Sequence, residues 1–171
     1  MKAKQLKANQ GELKERYLAN PDDANQTLEA SGFVDFGNLS FVIESPTNLS
    51  PAGLHVASGG DGTFACSVEI LLAGWVGCVG TTLAAVAHSM KLDITSCRIV
   101  ASGDMDFRGT LGVDREAPVG LTGLRLDFDF DSQEESEKIE KLIKLTERYC
   151  VVHQTFLHPP TIEISISNSN N

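Results

Sequence analysis

Basic residues, aromatic residues and cysteines are all scarce in this chain of 171 residues. The sequence carries 14 Lys and Arg against 23 Asp and Glu, a formal net charge of −9. Nucleic acids and anionic membrane surfaces are bound through clustered positive charge, so this balance argues against both as partners. Only four cysteines are present, and a chain this long with 42% hydrophobic residues can form a core without disulfides. We therefore expect a cytoplasmic protein with reduced thiols.

No secretory signal is recognisable, because the basic N-terminus is followed by polar residues instead of an apolar run. The longest apolar stretch lies inside the chain, where residues 70–90 contain no Asp, Glu, Lys or Arg. This length would suit a membrane span. The remainder of the sequence has the pattern of a soluble domain, so we expect no membrane association. A helix from about residue 67 to 90 that is apolar all round is predicted to be buried all round, which requires a second subunit.

The rest of the chain predicts an α+β domain. Residues 3–18 are polar and helix-prone and predict a surface helix or a partly ordered arm, which ends at Asn20-Pro21. Strands are predicted at 33–36 and 39–43 as a hairpin around Gly37-Asn38, near 54–56, over 94–107 with a bend at Gly103, over 124–131, and over 162–166. A charged helix is predicted to open with a capping box at 132–135 and to end near Cys150. Its inward face would carry Ile139, Leu142, Ile143, Thr146, Tyr149 and Cys150.

Two of the cysteines, Cys78 and Cys150, occupy positions that suggest a redox role. Cys78 lies in the middle of the apolar helix, whose glycines at 74, 77 and 80 each cost about 1 kcal/mol relative to Ala. Glycines at that cost predict a close approach of a partner helix or a ligand. Cys150 faces inward from the charged helix, so the two thiols could meet as a redox pair. Cys66 and Cys97 lie at the edges of elements and are interpreted as structural.

Other candidate sites are weaker. The loop at 59–63 is rich in glycine and precedes a helix, but it lacks the lysine and the spacing of a phosphate-binding loop. Cys78, Cys150 and His153 could share a metal ion, yet the ligand pattern is sparser than in zinc sites. His55, His88 and His158 have no evident partners, and no nucleophile elbow of a hydrolase is present.

The residues around the two cysteines resemble a known family. Glu69-Ile-Leu-Leu-Ala-Gly-Trp-Val-Gly-Cys78 and Cys150-Val-Val-His-Gln-Thr, with Asp106-Phe-Arg-Gly and Pro118-Val-Gly between them, are similar to the OsmC/Ohr family of osmotically inducible and organic-hydroperoxide-resistance proteins. The likeness covers about residues 33–166. It implies an N-terminal helical extension at 1–32, an OsmC-like domain at 33–167 and a disordered tail at 168–171.

The resemblance implies a fold and a reaction. Family members are intertwined homodimers in which curved antiparallel sheets wrap two long central helices, with the active sites at the dimer interface. By position, Cys78 would attack an organic hydroperoxide and become a sulfenic acid, and Cys150 would resolve it to a disulfide. Glu69 would be the catalytic carboxylate. A dithiol reductant of lipoyl type would reopen the disulfide, and no cofactor or metal is implied.

The chain also departs from the family pattern. The best-understood peroxidases carry a Glu ten residues before the first cysteine, where this chain has Val68, whereas Glu69 matches other branches. The family's activating arginine lies in the N-terminal strands, yet the single arginine before Cys78 is Arg16. A cation would then come from Arg108, Arg148, His153 or His55 of either subunit. Two other functions stay open: a non-catalytic dimer that binds a small apolar ligand, and a cysteine redox sensor.

Overall fold

The computed structural model describes residues 3–36, 40–44, 53–62 and 65–166. Its helices and strands follow along the chain as α1 (Ala3–Ala19), β1 (Asn25–Asp35), β2 (Ser40–Glu44), α2 (Ser67–Met90), β3 (Ile94–Asp106), α3 (Phe107–Thr110), β4 (Thr122–Ser132), α4 (Ser136–Tyr149) and α5 (Val151–Leu157). Short 3₁₀ helices lie at Pro21–Ala24 and Val56–Ser58. The predicted mixture of helices and antiparallel strands is confirmed.

The described strands form one sheet in the order β2-β1-β3-β4, and every neighbouring pair is antiparallel. The predicted hairpin is present, with Asp35 opposite Ser40; its turn residues lie outside the described residues. The register of β3 against β4 shifts between Ser102 and Asp104, which flank the glycine where a bend was predicted. β1 begins at Asn25 and pairs with β3. The sheet therefore starts within the range that the sequence assigned to the N-terminal extension.

Helix α2 is the central element and has the predicted bounds. It packs against β1, β2 and β3 of the sheet and against α4 and α5. Leu71 is nevertheless 45% exposed, and Gly74, Thr81 and Ala85 are exposed as well. By length and composition α2 could cross a membrane, but half of its most apolar window is buried in this fold. Packing in the core thus accounts for one side of the helix, and the described residues leave the other side uncovered.

Helix α4 begins later than predicted. Its N-cap is Glu135, whereas Ser132 still belongs to β4 and its Oγ accepts a hydrogen bond from the backbone N–H of Glu134. The predicted capping box at 132–135 is therefore wrong, because the serine hydroxyl is used in a turn between strand and helix. Leu142 and Thr146 are buried as predicted, but Tyr149 is 58% exposed.

Two predicted strands are not formed. Residues 54–56 lead into the 3₁₀ helix Val56–Ser58, where the backbone N–H of Ala57 donates to His55 Nδ1 at 3.0 Å. Residues 161–166 pair with none of the four described strands. Their alternating isoleucines, Ile162, Ile164 and Ile166, are between 82% and 91% exposed. Alternation alone predicts strand conformation, but a strand also has to pair with the edge of a sheet, and residues 161–166 pair with neither outer strand, β2 nor β4.

The N-terminal helix is anchored by one aromatic side chain. Tyr17 is fully buried, and its hydroxyl donates to the carbonyl of Ala57 at 2.7 Å. Tyr17 belongs to a small second core with Ala24, Ala57 and Phe107. Helix α1 is thereby attached to the loop that precedes α2.

Candidate active site

The structure brings Cys78 and Cys150 together. Cys78 lies midway along α2 and is partly exposed, whereas Cys150 is fully buried between α4 and α5. The thiol of Cys78 lies next to that of Cys150 and raises its pKa, and both are free thiols. The sequence allowed the two thiols to be neighbours but did not require it. Their proximity in the fold defines the candidate site.

A break between two helices sets the position of Cys150. Its backbone N–H closes α4 by donating to the carbonyl of Thr146 at 2.8 Å. Its extended backbone (ψ 112°) then ends that helix, and its own carbonyl accepts from the N–H of Gln154 at 2.9 Å. Cys150 Sγ also accepts the backbone N–H of His153 at 3.5 Å. The junction therefore holds the Cys150 side chain toward α2.

The surroundings of Cys150 favour its protonated form. Burial raises the pKa of the Cys150 thiol from 9.0 to about 11. The backbone N–H of His153 opposes this shift, and the neighbouring Cys78 thiol adds to it. Cys150 is consequently a thiol at neutral pH and has to lose its proton before or while it attacks another sulfur.

An aromatic layer lies next to the thiol pair. The rings of Trp75 and His153 are stacked with centroids 5.9 Å apart, and Phe156 packs its edge against the same indole at 5.1 Å. Trp75 Nε1 and His153 Nδ1 are both buried and have no hydrogen-bond partner within the described part of the chain. Sequence reasoning considered His153 and missed Trp75. Its spacing of one helical turn from Cys78 could have revealed it.

Glu69 is placed away from the thiols of its own chain. It lies nine residues before Cys78, which corresponds to about 13.5 Å along the helix and half a turn around it. Its Oε2 accepts the backbone N–H of Cys66 at 2.8 Å and so caps the first turn of α2. Burial lowers the pKa of nearby His55, with the charge of Glu69 acting in the opposite direction. Within one chain, Glu69 thus acts as a helix cap.

The side chains considered as the cation that activates a thiol are engaged by other groups to different degrees. Arg108 is bound by Asp106 at 2.6 Å and by Asp114 at 3.5 Å. Arg148 lies over the ring of Tyr149 at 5.6 Å, on an exposed part of α4. His55 stacks on Phe107 with ring centroids 4.9 Å apart. Of the predicted sources, His153 is the residue that the structure brings against the cysteine pair, with its backbone N–H 3.5 Å from Cys150 Sγ.

The two remaining cysteines lie in structural positions. Cys66 is 7% exposed at the N-cap of α2, and Cys97 is fully buried in β3. Burial, together with the charge of Asp129 on the neighbouring strand, raises the pKa of Cys97 to about 12. A thiol in that environment stays protonated and is a poor nucleophile.

An open groove of about 550 Å³ runs along α2 beyond Cys78. Its walls come from α2 and α4: Thr81, Thr82, Ala85, Val86, Ser89, Met90, Leu145 and Tyr149. The hydroxyl of Thr82 donates to the carbonyl of Cys78 at 2.8 Å, and that of Thr81 donates to the carbonyl of Gly77 at 3.0 Å. With these hydroxyls engaged by the helix backbone, the groove offers mostly aliphatic surface.

The glycine loop and the metal alternative gain no support. The N–H groups of Gly59 and Gly60 already donate to the carbonyls of Val56 and His55. A Cβ on Gly60 would come within 1.8 Å of the Leu54 carbonyl oxygen, so close backbone packing explains that glycine. Among the described residues, no three His, Cys, Asp or Glu side chains are grouped as a metal site would need.

Comparisons with known proteins agree with this fold. The family model of OsmC-like proteins matches residues 60–165. A crystal structure of an OsmC-like hydroperoxide resistance protein from Jannaschia sp. CCS1 is similar with a TM-score of 0.61 and 17% identity, over 86% of this chain and 97% of that one. An OsmC-like protein from Mycoplasma pneumoniae is similar with a TM-score of 0.51 and 16% identity, over 75% and 86% of the two chains. No curated protein matches significantly. The family model covers more than half of the sequence, and the chain belongs to the OsmC-like family.

Proposed function

We propose that this protein is a thiol-dependent peroxidase that reduces organic hydroperoxides with Cys78 and Cys150. The observation that carries the proposal is that the two thiols are neighbours, close enough for Cys78 to raise the pKa of Cys150. Membership of the OsmC-like family and similarity to a protein described as a hydroperoxide resistance protein support a role in peroxide chemistry.

The reaction would proceed in three balanced steps. The Cys78 thiolate attacks the terminal peroxide oxygen, the O–O bond breaks, and the alkoxide leaves as an alcohol after taking up a proton. Cys78 is then a sulfenic acid. Cys150 attacks its sulfur, water leaves, and a disulfide forms. A lipoyl-type dithiol would reduce this disulfide by thiol exchange and become oxidised itself.

The environments of the two thiols support the assignment of their roles. Cys78 is partly exposed and can be reached by a substrate, whereas Cys150 is fully buried. The raised pKa of Cys150 makes it a poor first nucleophile. Because Cys150 contacts Cys78, it can still react within the chain once Cys78 is oxidised. Cys78 is therefore the peroxidatic cysteine and Cys150 the resolving one.

The groove beside Cys78 favours an organic substrate. It is lined mainly by aliphatic side chains, among them Val86, Met90 and Leu145. Burial of an alkyl group there would contribute about 0.8 kcal/mol for each buried CH₂. Hydrogen peroxide lacks that contribution. The protein should accordingly consume alkyl or aryl hydroperoxides faster than hydrogen peroxide.

A homodimer would cover the apolar surfaces that the single chain leaves open. Leu71 on α2 is 45% exposed, and isoleucines 162, 164 and 166 are 82–91% exposed. Such a continuous series of exposed isoleucines is costly unless another surface buries it. In a dimer, a second copy would cover α2, and Glu69 or a cation from that copy could approach the thiols. A reducing cytoplasm suits two free thiols.

A second function has one observation in its favour. Arg108, one of the cations considered for activating a thiol, is already bound by two carboxylates. The groove could then hold a small apolar ligand that is not chemically changed. In that case the protein would bind the ligand and leave hydroperoxides intact. A redox sensor would form the same disulfide but would turn over slowly.

The test is peroxide consumption by the purified protein with dihydrolipoamide as reductant. Cumene hydroperoxide should be consumed with many turnovers, hydrogen peroxide more slowly, and Cys78→Ser should be inactive. Cys97→Ser provides a matched cysteine control that should keep activity. Absence of turnover with either peroxide would leave ligand binding as the better function. Stoichiometric disulfide formation without turnover would favour the sensor.

A further inference from the structure

Two buried nitrogen atoms beside the thiol pair have no hydrogen-bond partner. Trp75 Nε1 and His153 Nδ1 are both unpartnered within the described residues, although they lie on adjacent stacked rings. Their near-parallel ring planes, inclined by 24°, prevent a straight hydrogen bond between them. Leaving a buried polar group without a partner costs about 1–3 kcal/mol. Such groups therefore suggest a partner that is present only at another stage of a reaction.

The spacing connects these atoms to the cysteines. Trp75 precedes Cys78 by three residues on α2, and His153 follows Cys150 by three residues in α5. The two pairs form neighbouring layers between the same elements: thiol against thiol, and indole against imidazole. The His153 backbone N–H is itself 3.5 Å from Cys150 Sγ. The imidazole thus belongs to the same turn as the resolving thiol.

The chemistry of the site requires a proton acceptor at this position. Burial keeps Cys150 protonated at neutral pH, so its proton has to leave when the sulfur attacks. All four histidines of the sequence lie in the described part of the chain. His55 stacks on Phe107, and His88 and His158 are exposed. His153 is the histidine whose backbone N–H contacts Cys150 Sγ and whose ring lies on Trp75, and neutral imidazole accepts protons near neutral pH.

We propose that His153 is the proton acceptor of the disulfide-closing step, with Trp75 as the platform that holds its ring. The neutral imidazole takes the proton of Cys150 as its sulfur attacks the sulfur of Cys78. It then delivers this proton to the departing hydroxide, which leaves as water. One sulfenic-acid sulfur and one thiol sulfur end as one disulfide and one water, and the imidazole is regenerated, so no further reactant is needed. The oxidation of Cys78 to a sulfenic acid, which precedes this step, rests on the proposed peroxidase function.

The closing step can be isolated in a single turnover. Reduced protein is mixed with one equivalent of cumene hydroperoxide and quenched with an alkylating agent. The Cys78–Cys150 disulfide is then quantified by peptide mass mapping, while dimedone traps the sulfenic acid. His153→Ala should slow disulfide closure about 100-fold, the lower end of the range for proton transfer by a positioned side chain. Formation of the sulfenic acid should keep its wild-type rate.

Free imidazole separates a chemical role from a structural one. His153→Ala leaves a space beside Trp75, so added imidazole should restore closure in proportion to its concentration. His153→Phe keeps an aromatic ring on Trp75 and fills the space, so it should be slow and insensitive to imidazole. His158→Ala, at the exposed end of α5, should close at the wild-type rate. Wild-type closure in His153→Ala, or slow closure that imidazole never restores, would overturn the proposal.

A second oxidant distinguishes this proposal from the function on which it rests. Diamide forms an adduct on a thiol that a neighbouring thiol then displaces, so it requires the same attack by Cys150 without any hydroperoxide. If wild-type protein ignores hydroperoxides but closes with diamide in a His153-dependent way, the peroxidase function fails and the role of His153 stands. If diamide closure is the same in wild type and His153→Ala, the role of His153 fails whatever the hydroperoxide arm gives.

Discussion

The thiol of Cys78, midway along α2, lies next to the thiol of Cys150, at the junction of α4 and α5, and raises its pKa. The two sulfurs differ in access: Cys78 is partly exposed and Cys150 is completely buried. A substrate can therefore reach one thiol, and the other can react only with its neighbour. This asymmetry supports the proposed order of the two steps, in which Cys78 is oxidised first.

Cys150→Ser should stop the reaction after one oxidation. Cys78 can still react with a hydroperoxide, but a serine hydroxyl is too weak a nucleophile to close the bond. One dimedone adduct on Cys78 is expected for each chain treated with cumene hydroperoxide, as read by intact mass and peptide mapping. A wild-type disulfide that involves Cys66 or Cys97 would contradict the assigned pair.

The buried thiols should make stability depend on alkaline pH. The pKa of Cys150 is raised from 9.0 to about 11, so the folded chain holds that proton more tightly than the unfolded chain. This contribution is complete below pH 9.0 and is lost as the pH rises toward about 11. The free energy of unfolding should therefore fall over this window. Urea unfolding under reducing conditions measures it.

The matched variants separate the two buried thiols. Cys150→Ala should lose less stability than the wild type between pH 9.0 and about 11. Cys97→Ala should also lose less over that window, but its difference from the wild type should keep growing up to about pH 12, because the pKa of Cys97 is raised from 9.0 to about 12. Equal losses in the wild type and in Cys150→Ala over the lower window would show that Cys150 is not the group responsible.

Substitutions of Glu69 can distinguish a helix-capping role from a catalytic role. Its carboxylate accepts the backbone N–H of Cys66 at 2.8 Å. Glu69→Ala should lower the free energy of unfolding by about 1 kcal/mol, as loss of a helix cap does. Glu69→Gln keeps an acceptor oxygen and should lose less. Peroxide turnover that falls in Glu69→Gln while stability is kept would indicate that Glu69 serves the thiols of a second subunit.

Local patterns predicted most of the fold. The apolar helix α2 has its predicted bounds, and the alternation in β4 gives partly buried Leu126, Phe128 and Phe130. The bend near Gly103 appears as a register shift in β3. These features depend on neighbours a few residues apart, so a single sequence contains enough information to predict them.

Features that depend on distant residues were predicted less well. The start of α4 was misplaced because Ser132 pairs in β4 before the helix begins. The N-terminal part of β1 has no clear alternation and forms because β3 lies beside it. The stacking of Trp75 on His153 was not foreseen, since it joins two helices far apart in sequence. The inward positions of Cys78 and Cys150 on their helices suggested a thiol pair. That the two side chains are neighbours follows only from the fold.

The protein should form a homodimer in solution. Light scattering should give twice the mass of the chain at micromolar concentration. Ile164→Asp introduces a charge into the exposed isoleucine segment and should shift the protein toward monomer. Leu18→Asp, at a leucine that is 67% exposed on α1, is the matched control and should remain dimeric. A monomeric wild-type protein would contradict the dimer and leave the open side of α2 without explanation.

Alanine substitutions at two helical glycines can test whether a second helix packs on the open side of α2. An added Cβ would have nothing within 4 Å at Gly74 on α2, and the same is true at Gly11 on α1. Judged from the single chain, Ala at either position should stabilise its helix by about 1 kcal/mol. Gly11→Ala should do so. If a partner helix approaches α2 closely, Gly74→Ala should instead weaken the dimer, seen as dissociation at a higher protein concentration by light scattering and as a lower thermal midpoint. Equal stabilisation by both substitutions would show that no second helix approaches α2 at Gly74.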